Sequence, residues 1–296
     1  MKIKTVFQTF RPSFLVLAPI CVFLGISTSL EVQSQVSLFM ALLVLMVAIL
    51  AHISVNTFNE YYDFRSGLDL LTIRTPFSGG SGTLPIHPEM AGITLAIAIV
   101  SLLLTVLIGI YLVLQRGFIV MPIGIVGVVL ILTYTQWLNR LPLLGVIASG
   151  SGFGILMVVG THVVLTGGYS SISWLLSLVP FFLVNNLLLL NQYPDIEADE
   201  SVGRKTFPIA FGVKKSNFVY AAFMLAAYSV ILLLIIKQAI PELSAIAIIP
   251  MALSIFALLG ATKHESNIGA FPQYLAANVA ATLLTPVLLG LSLVFG

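Results

Sequence analysis

The sequence predicts an all-α, polytopic membrane protein of nine transmembrane helices, with the N-terminus cytoplasmic and the C-terminus outside. Three observations carry that expectation. Of 296 residues, 59% are hydrophobic and only 8% are charged, 13 basic and 11 acidic, where a soluble domain carries about 25% charge. The apolar residues gather in runs of roughly 20, the length at which a helix crosses a hydrocarbon core. The few basic residues divide unevenly between alternate loops, as they do between cytoplasmic and outer loops of membrane proteins.

The same composition excludes several classes. A mean hydropathy of +1.10 is not that of a soluble enzyme or a disordered chain. Thirteen Lys and Arg are too few for the basic surface of a nucleic-acid binder, so no nucleic-acid partner is expected. The net charge of +2 selects no partner, and the single cysteine, Cys21, excludes a disulfide scaffold and a thiolate zinc site.

Nine apolar runs cover about 13–31, 37–58, 91–114, 117–136, 143–166, 172–193, 217–236, 243–261 and 272–295. The first follows Lys2 and Lys4, as a signal peptide would, but its apolar run is too long and no small-residue cleavage site follows, so it reads as a retained span. With the N-terminus inside, the inner segments hold Lys2, Lys4, Arg11, Arg65, Arg74, Arg140, Arg204, Lys205, Lys214, Lys215 and Lys263, and the outer segments only Arg116 and Lys237. Splitting or merging one run would scramble this bias, so the charges support the count. Only 59–90 and 194–216 are loops of appreciable length, and both fall inside. Residues 1–296 therefore read as a single integral-membrane domain.

Eight of the 11 carboxylates lie in those two loops and the helix ends leading into them: Glu60, Asp63, Asp69, Glu89, Asp195, Glu197, Asp199 and Glu200. Acidic residues contribute little to topology, so topology does not explain the clustering. Asn56, Asn59, Glu60 and Asp63 are spaced i, i+3, i+4, i+7, and Asn191, Asp195 and Asp199 i, i+4, i+8; each set shares one helical face. The two groups also resemble each other. Both read Asn-x-Tyr-x-Asp, from Asn59 and from Asn191, and each is followed by a basic residue and Thr, Arg74-Thr75 and Lys205-Thr206. A weak internal duplication is implied, and a duplicated polar face at two helix ends is a way to build a paired site.

Oxygen ligands in pairs, beside basic residues, at the edge of an apolar bundle suit Mg²⁺, which binds through one or two carboxylates together with substrate phosphates. No sulfur or His cluster speaks for zinc or copper. Basic neighbours would complete the neutralisation of a diphosphate, and the apolar spans would accept a hydrocarbon tail. Head group at the rim and tail in the bundle describes a prenyl diphosphate. The competing reading takes either cluster alone as solvated helix caps. Asn185, Asn186, His52 and His162 could line a pocket or make hydrogen bonds between helices. Gly150, Gly152 and Gly154 read as close helix packing, since no Walker lysine accompanies them.

These motifs resemble those of the UbiA superfamily of intramembrane prenyltransferases, nearest the 1,4-dihydroxy-2-naphthoate polyprenyltransferase branch of menaquinone synthesis. A first motif like Asn-Asp-Tyr-x-Asp-x-Lys-Ser-Gly-x-Asp is matched by Asn59-Glu60-Tyr61-Tyr62-Asp63-Phe64-Arg65-Ser66-Gly67-Leu68-Asp69, with Glu60 where the family usually has Asp. A second is matched by Asn191, Asp195, Asp199 and Gly203-Arg204-Lys205-Thr206. The resemblance implies a helical bundle around a central cavity capped by the motif loops. It implies metal ligation by Asn59, Glu60, Asp63, Asp69, Asn191, Asp195 and Asp199, with Asp63, Asp195 and Asp199 the catalytic carboxylates. Arg11, Arg65, Arg140, Lys205 and Tyr134 are the implied substrate contacts.

The function so implied is transfer of a prenyl group from a polyprenyl diphosphate to an aromatic quinone precursor such as 1,4-dihydroxy-2-naphthoate. Two Mg²⁺ would bridge the diphosphate, the allylic bond would ionise, and the ring would be alkylated. The partners are then the two substrates and membrane lipid, with no obligate protein partner. The expected location is the cell inner (plasma) membrane, with the active site opening to the cytoplasm. Another acceptor, 4-hydroxybenzoate or a lipid alcohol, is the alternative within this chemistry. An ion-coupled transporter is the alternative outside it, and would want its polar groups near the midplane rather than at the rim.

Overall fold

Residues 2–33 and 35–296 are described by the structure, a computed structural model, with the side chains of residues 2–4 left out. Of the basic residues that set the expected orientation, the Lys2 and Lys4 side chains therefore lie outside the described part. Among the described residues every regular element is helical. Eight helices are long and apolar enough to cross a membrane: α1 (Pro12–Leu30), α2 (Leu38–Ser66), α3 (Pro88–Arg116), α5 (Pro142–Thr166), α6 (Ser171–Asn191), α7 (Val213–Ile236), α8 (Glu242–Ala270) and α9 (Pro272–Phe295). Between α3 and α5 lies α4 (Phe118–Thr133), which is shorter. Outward-facing side chains are apolar, with Leu107, Leu114, Phe218 and Ile249 all more than half exposed. A surface of that kind belongs in lipid, and the chain is an integral membrane protein.

The fourth predicted crossing, 117–136, is thus built differently from its neighbours. At 1.5 Å per residue α4 spans about 24 Å, less than the roughly 30 Å hydrocarbon core. It nevertheless connects opposite ends of the bundle. At one end Arg116 donates to the Leu165 carbonyl, joining the ends of α3 and α5. At the other, the turn after α4 places Asn139 so that its carbonyl accepts the Lys205 N–H at 3.0 Å. The helix stops early, and turns through Leu138–Arg140 complete the distance.

In contrast, α2 is longer than a bilayer requires. The Ser37 hydroxyl caps its start by accepting the Met40 N–H, and Gly67, in the left-handed conformation, closes it after 29 residues. That is about 43 Å, so the last turns, which carry Asn59 to Asp63, project past the apolar zone. α2 packs along α3 and α1; α6 packs on α5, α7 and α9; and α9 returns to α1. A cavity of about 350 Å³ is walled by α1–α6 and the two acidic loops, and none of its lining residues lies beyond Thr206. The last three helices instead back the cavity walls α1 and α6.

That backing is held by buried polar contacts. Tyr220 of α7 donates to Asn278 of α9 at 2.8 Å, Asn278 donates to the Asn186 carbonyl of α6, and Asn186 donates to the Tyr220 carbonyl. His162 meets Thr28 at 3.1 Å. Asn186 and His162 therefore serve helix association, one of the two roles open to them from sequence, whereas His52 lines the cavity. Polar contacts of this kind contribute roughly 1 kcal/mol each between membrane helices.

The glycines of α5 likewise act in packing. A Cβ on Gly150 would lie 2.1 Å from the Phe181 carbonyl oxygen, and one on Gly154 2.3 Å from the Phe181 nitrogen. The backbones of α5 and α6 approach so closely that only glycine fits. The Gly150 N–H also leaves its own helix, donating to Asn185 Oδ1 at 2.6 Å, and Ser151–Met157 then runs as a wider π-helical turn. Inserting a side chain into the helical ladder is a recognised cause of such a turn. It carries Gly152, Phe153, Leu156 and Met157 into the cavity wall. Gly150→Ala is expected to lower stability by about 1–3 kcal/mol through overpacking, read as a lower thermal midpoint in detergent; an unchanged midpoint would refute this reading of the contact.

Candidate active site

The polar end of the cavity is lined from six separate stretches of chain. The last turns of α2 supply Asn59 and Asp63, and the short helix Leu68–Leu71 supplies Asp69. The loop that follows supplies Ser78, Gly79 and Gly80. The end of α6 and the next turn supply Asn191, Gln192, Asp195 and Asp199. Arg11 reaches in from the segment before α1, and Arg204 and Thr206 from the loop before α7. The two acidic clusters predicted from sequence thus meet at one rim. Asp63, Asp69 and Asp199 are all less than a tenth exposed.

Four carboxylates, Asp63, Asp69, Asp195 and Asp199, face two guanidiniums, Arg11 and Arg204, among the cavity-lining residues. One guanidinium joins the two clusters: Arg204 Nη2 is ion-paired with Asp63 and Nη1 donates to Asp199 at 2.9 Å. The other is occupied by Glu60, whose Oε1 accepts Arg11 Nε at 2.7 Å and the Ser81 N–H at 2.8 Å, while Oε2 accepts the Ser81 hydroxyl at 2.6 Å. Glu60 is fully buried and does not line the cavity. Its oxygens anchor the 72–82 loop and the N-terminal segment to α2, rather than facing a ligand.

Several oxygens at the rim have no such partner. Asp69 Oδ2, Asn191 Oδ1, Gln192 Oε1, Asp195 Oδ1 and Thr206 Oγ1 are buried and make no hydrogen bond. An unpaired buried acceptor costs about 1–3 kcal/mol, and five around one cavity mouth form a donor set for a hard cation. No three acidic or His side chains converge as a ready-made cage among the described residues. The amide oxygens, and oxygens brought by a ligand, would have to complete any coordination sphere, which is the usual habit of Mg²⁺.

Charge crowding shows in the carboxyl groups of the loops. Burial pushes Asp195 up to about 7, with Asp199 adding repulsion and Ser78, the Gly79 N–H and Arg11 opposing it. Burial also raises Asp69 to about 7, with repulsion from Glu60 and Asp63 against the pull of Arg11 and Arg74. Asp199 is raised by burial despite Arg204. Carboxylates that hold protons near neutrality gain from a positive charge beside them.

Of the residues singled out from sequence, Asn59, Asp63, Asp69, Asn191, Asp195, Asp199, Arg11 and Tyr134 line the cavity. Tyr134 stands on the wall below the rim, its hydroxyl accepting from Ser149 at 3.1 Å. Arg65, Arg140 and Lys205 point outward, exposed, and are absent from the lining. In two of these cases the adjacent residue faces inward: Asn139 beside Arg140, and Arg204 beside Lys205. The Gly203-Arg204-Lys205-Thr206 run did signal a basic residue here, but a turn sends neighbouring side chains in different directions. Gln192 and the Ser78–Gly80 backbone carried no signal of their own.

The pattern of the UbiA prenyltransferase family matches residues 17–279. The chain belongs to the UbiA prenyltransferase family. It is therefore a prenyltransferase enzyme. A relative from Bacillus subtilis named 1,4-dihydroxy-2-naphthoate octaprenyltransferase is 28% identical over 298 residues, covering 99% of this chain and 92% of the relative. Among solved structures, the apo structure of a UbiA homolog from Aeropyrum pernix has a TM-score of 0.72 at 15% identity, covering 95% of this chain and 97% of that one. A UbiA homolog from Archaeoglobus fulgidus bound to DMAPP and Mg²⁺ has a TM-score of 0.62 at 17% identity, covering 94% and 99%. This UbiA fold thus recurs over nearly the whole chain at low sequence identity.

Removing the Glu60 carboxylate should leave Arg11 unpaired and release the 72–82 loop. For Glu60→Ala we expect about 3 kcal/mol of destabilisation and faster proteolysis within 72–82. A variant as stable and as protease-resistant as wild type would show that Glu60 is not the anchor.

Proposed function

We propose that this enzyme transfers a prenyl group from a polyprenyl diphosphate to an aromatic quinone precursor such as 1,4-dihydroxy-2-naphthoate. The observation that carries the reading is the rim of unpartnered buried oxygens over an apolar cavity. The relative's name supports the acceptor class, and the Archaeoglobus structure with DMAPP and Mg²⁺ supports the donor and the metal. The active site opens to the cytoplasm of a cell inner membrane, by the placement of basic residues. Residues 1–296 act as one domain.

The residues present fit Mg²⁺: hard oxygen donors, partly unsatisfied, with a surplus of carboxylates over guanidiniums. Asn59, Asp63, Asp69, Asn191, Asp195 and Asp199 are its proposed ligands, and Asp63, Asp195 and Asp199 the carboxylates on which turnover depends. Held by these residues, Mg²⁺ would supply charge neutralisation for the departing diphosphate. Arg11 and Arg204 lie where their guanidiniums can take phosphate oxygens in bidentate fashion. Glu60 holds the loop that carries Ser78–Gly80 against the rim. Phe14, Phe77, Tyr134 and Phe153 also line the cavity. Their faces stabilise an allylic cation, and the wall excludes the water that would otherwise quench it. The allylic C–O bond breaks, diphosphate leaves with the electron pair, the ring carbon forms the new C–C bond, and the ring loses a proton.

The assay is purified protein in detergent or liposomes with radiolabelled prenyl diphosphate, Mg²⁺ and a panel of acceptors. We expect Mg²⁺-dependent prenylation of a dihydroxynaphthoate; no Mg²⁺-dependent diphosphate release with any acceptor would sink the reading. Asp63→Ala and Asp195→Ala should each lower turnover by about two orders of magnitude or more, the scale of losing an electrostatic contact made in the transition state, in protein that still elutes as a folded species. Near-normal turnover in either would remove that residue from the site.

A pH dependence follows from the raised carboxyls. Asp69 and Asp195, at about 7, must lose protons to bind a cation. Mg²⁺ affinity should be level above pH 7.5 and fall toward pH 6, by about tenfold per unit for each proton displaced. Titration of activity against Mg²⁺ at several pH values reads this directly, and a flat affinity from pH 6 to 8 contradicts it.

A further inference from the structure

Arg204 stands between the two acidic clusters and is the contact that joins them. Its side chain is 16% exposed and is paired on one side with Asp63 of α2 and on the other with Asp199 of the short helix Ile196–Ser201. These two carboxylates come from the two halves of the apparent sequence duplication. Both are among the ligands proposed for Mg²⁺, so the guanidinium already occupies their charge. We propose that Arg204 is an internal counter-cation that keeps Asp63 and Asp199 from taking Mg²⁺ alone and yields them only when a diphosphate arrives with it.

The reason lies in what happens to Arg204 when it is displaced. A buried guanidinium that loses its carboxylates is strongly destabilising unless another anion takes it. A metal ion arriving alone leaves Arg204 in that state, and Mg²⁺ also gives up its own water reluctantly. A diphosphate removes the cost, because its oxygens accept the two Nη groups that Asp63 and Asp199 give up. Arg11 is placed differently: its ion pair is with Glu60, which is not among the proposed ligands, so it blocks no carboxylate of the metal site. Metal and diphosphate therefore bind with positive coupling, and by linkage each tightens the other equally. Lack of a preformed cage of three acidic side chains among the described residues is in keeping with this.

The inference rests on the reading of the rim as a Mg²⁺–diphosphate site, and the test separates the two. Mn²⁺, as a paramagnetic substitute, is titrated into purified full-length protein and counted by electron paramagnetic resonance, with and without inorganic pyrophosphate, against protein-free controls. For wild type we expect weak binding of Mn²⁺ alone, tightened about tenfold or more by pyrophosphate, within the usual range of coupling between sites. Arg204→Gln should bind Mn²⁺ alone about tenfold more tightly than wild type, with the pyrophosphate effect reduced to about threefold or less. Arg204→Lys, a single ammonium that cannot bridge two carboxylates as a planar fork does, should fall between them, and it serves as the deciding variant if Arg204→Gln does not fold.

A folded variant that binds Mn²⁺ alone no more tightly than wild type, while wild type still shows the pyrophosphate effect, would overturn the inference and leave the metal site standing. Absence of Mn²⁺ binding to wild type even with pyrophosphate would remove the metal site and the inference with it.

Discussion

Four carboxylates gathered at one rim in a low-dielectric setting form the constraint around which the rest of this protein is organised. Burial makes each costly to ionise, and neighbouring carboxylates add to that cost, as the upward shifts of Asp69 and Asp195 show. The chain compensates with two guanidiniums, each of which joins segments distant in sequence. Arg204 links α2 to the stretch after α6, and Arg11 links the segment before α1 to Glu60 and, through it, to the 72–82 loop. Electrostatic compensation is thus also the tertiary glue of the polar end. The same compensation leaves the rim short of positive charge, with four carboxylates facing two guanidiniums.

The apolar bulk of the bundle serves to aim these groups. Because α2 is longer than the hydrocarbon core, its polar face stands clear of the lipid. Because α5 and α6 touch backbone to backbone at Gly150, Gly154 and Phe181, the end of α6 is held close to the cavity, and Asn191 and Asp195 come within reach of the α2 cluster. The π-helical turn in α5 sets Phe153 into the wall, edge-on to His52 at 4.6 Å between ring centres. Among the described residues, none of the cavity lining comes from the last three helices. Through Tyr220, Asn278 and Asn186 they brace α6, whose end carries half of the site.

Most of the architecture was legible in the sequence because the bilayer makes few demands and states them plainly. A crossing needs length and apolarity, and the apolar runs were correspondingly clear; the exception, α4, is short because turns rather than helix complete the distance to Asn139. The acids were legible because carboxylates that topology does not require, spaced i, i+3, i+4, i+7, share a helical face. Basic residues were harder to assign. Arg65, Arg140 and Lys205 sit beside the right places and point away from them, since in a turn or at a helix end adjacent side chains diverge by large angles. Glu60 was legible as part of the cluster but not as an anchor, because its partners, Arg11 and Ser81, lie 49 and 21 residues away.

The sequence by itself determined that this chain lives in a membrane and that its carboxylates form two similar groups, each on one helical face. Those properties depend on composition and on spacing along a helix, which are local. Only the tertiary structure decided that Arg204 rather than Lys205 meets both groups, that Glu60 is spent on the loop, and that six helices rather than all of them wall the cavity. Each of these depends on which side chains a distant segment presents at a given point in space, and a charge has no meaning for a site until that neighbour is known.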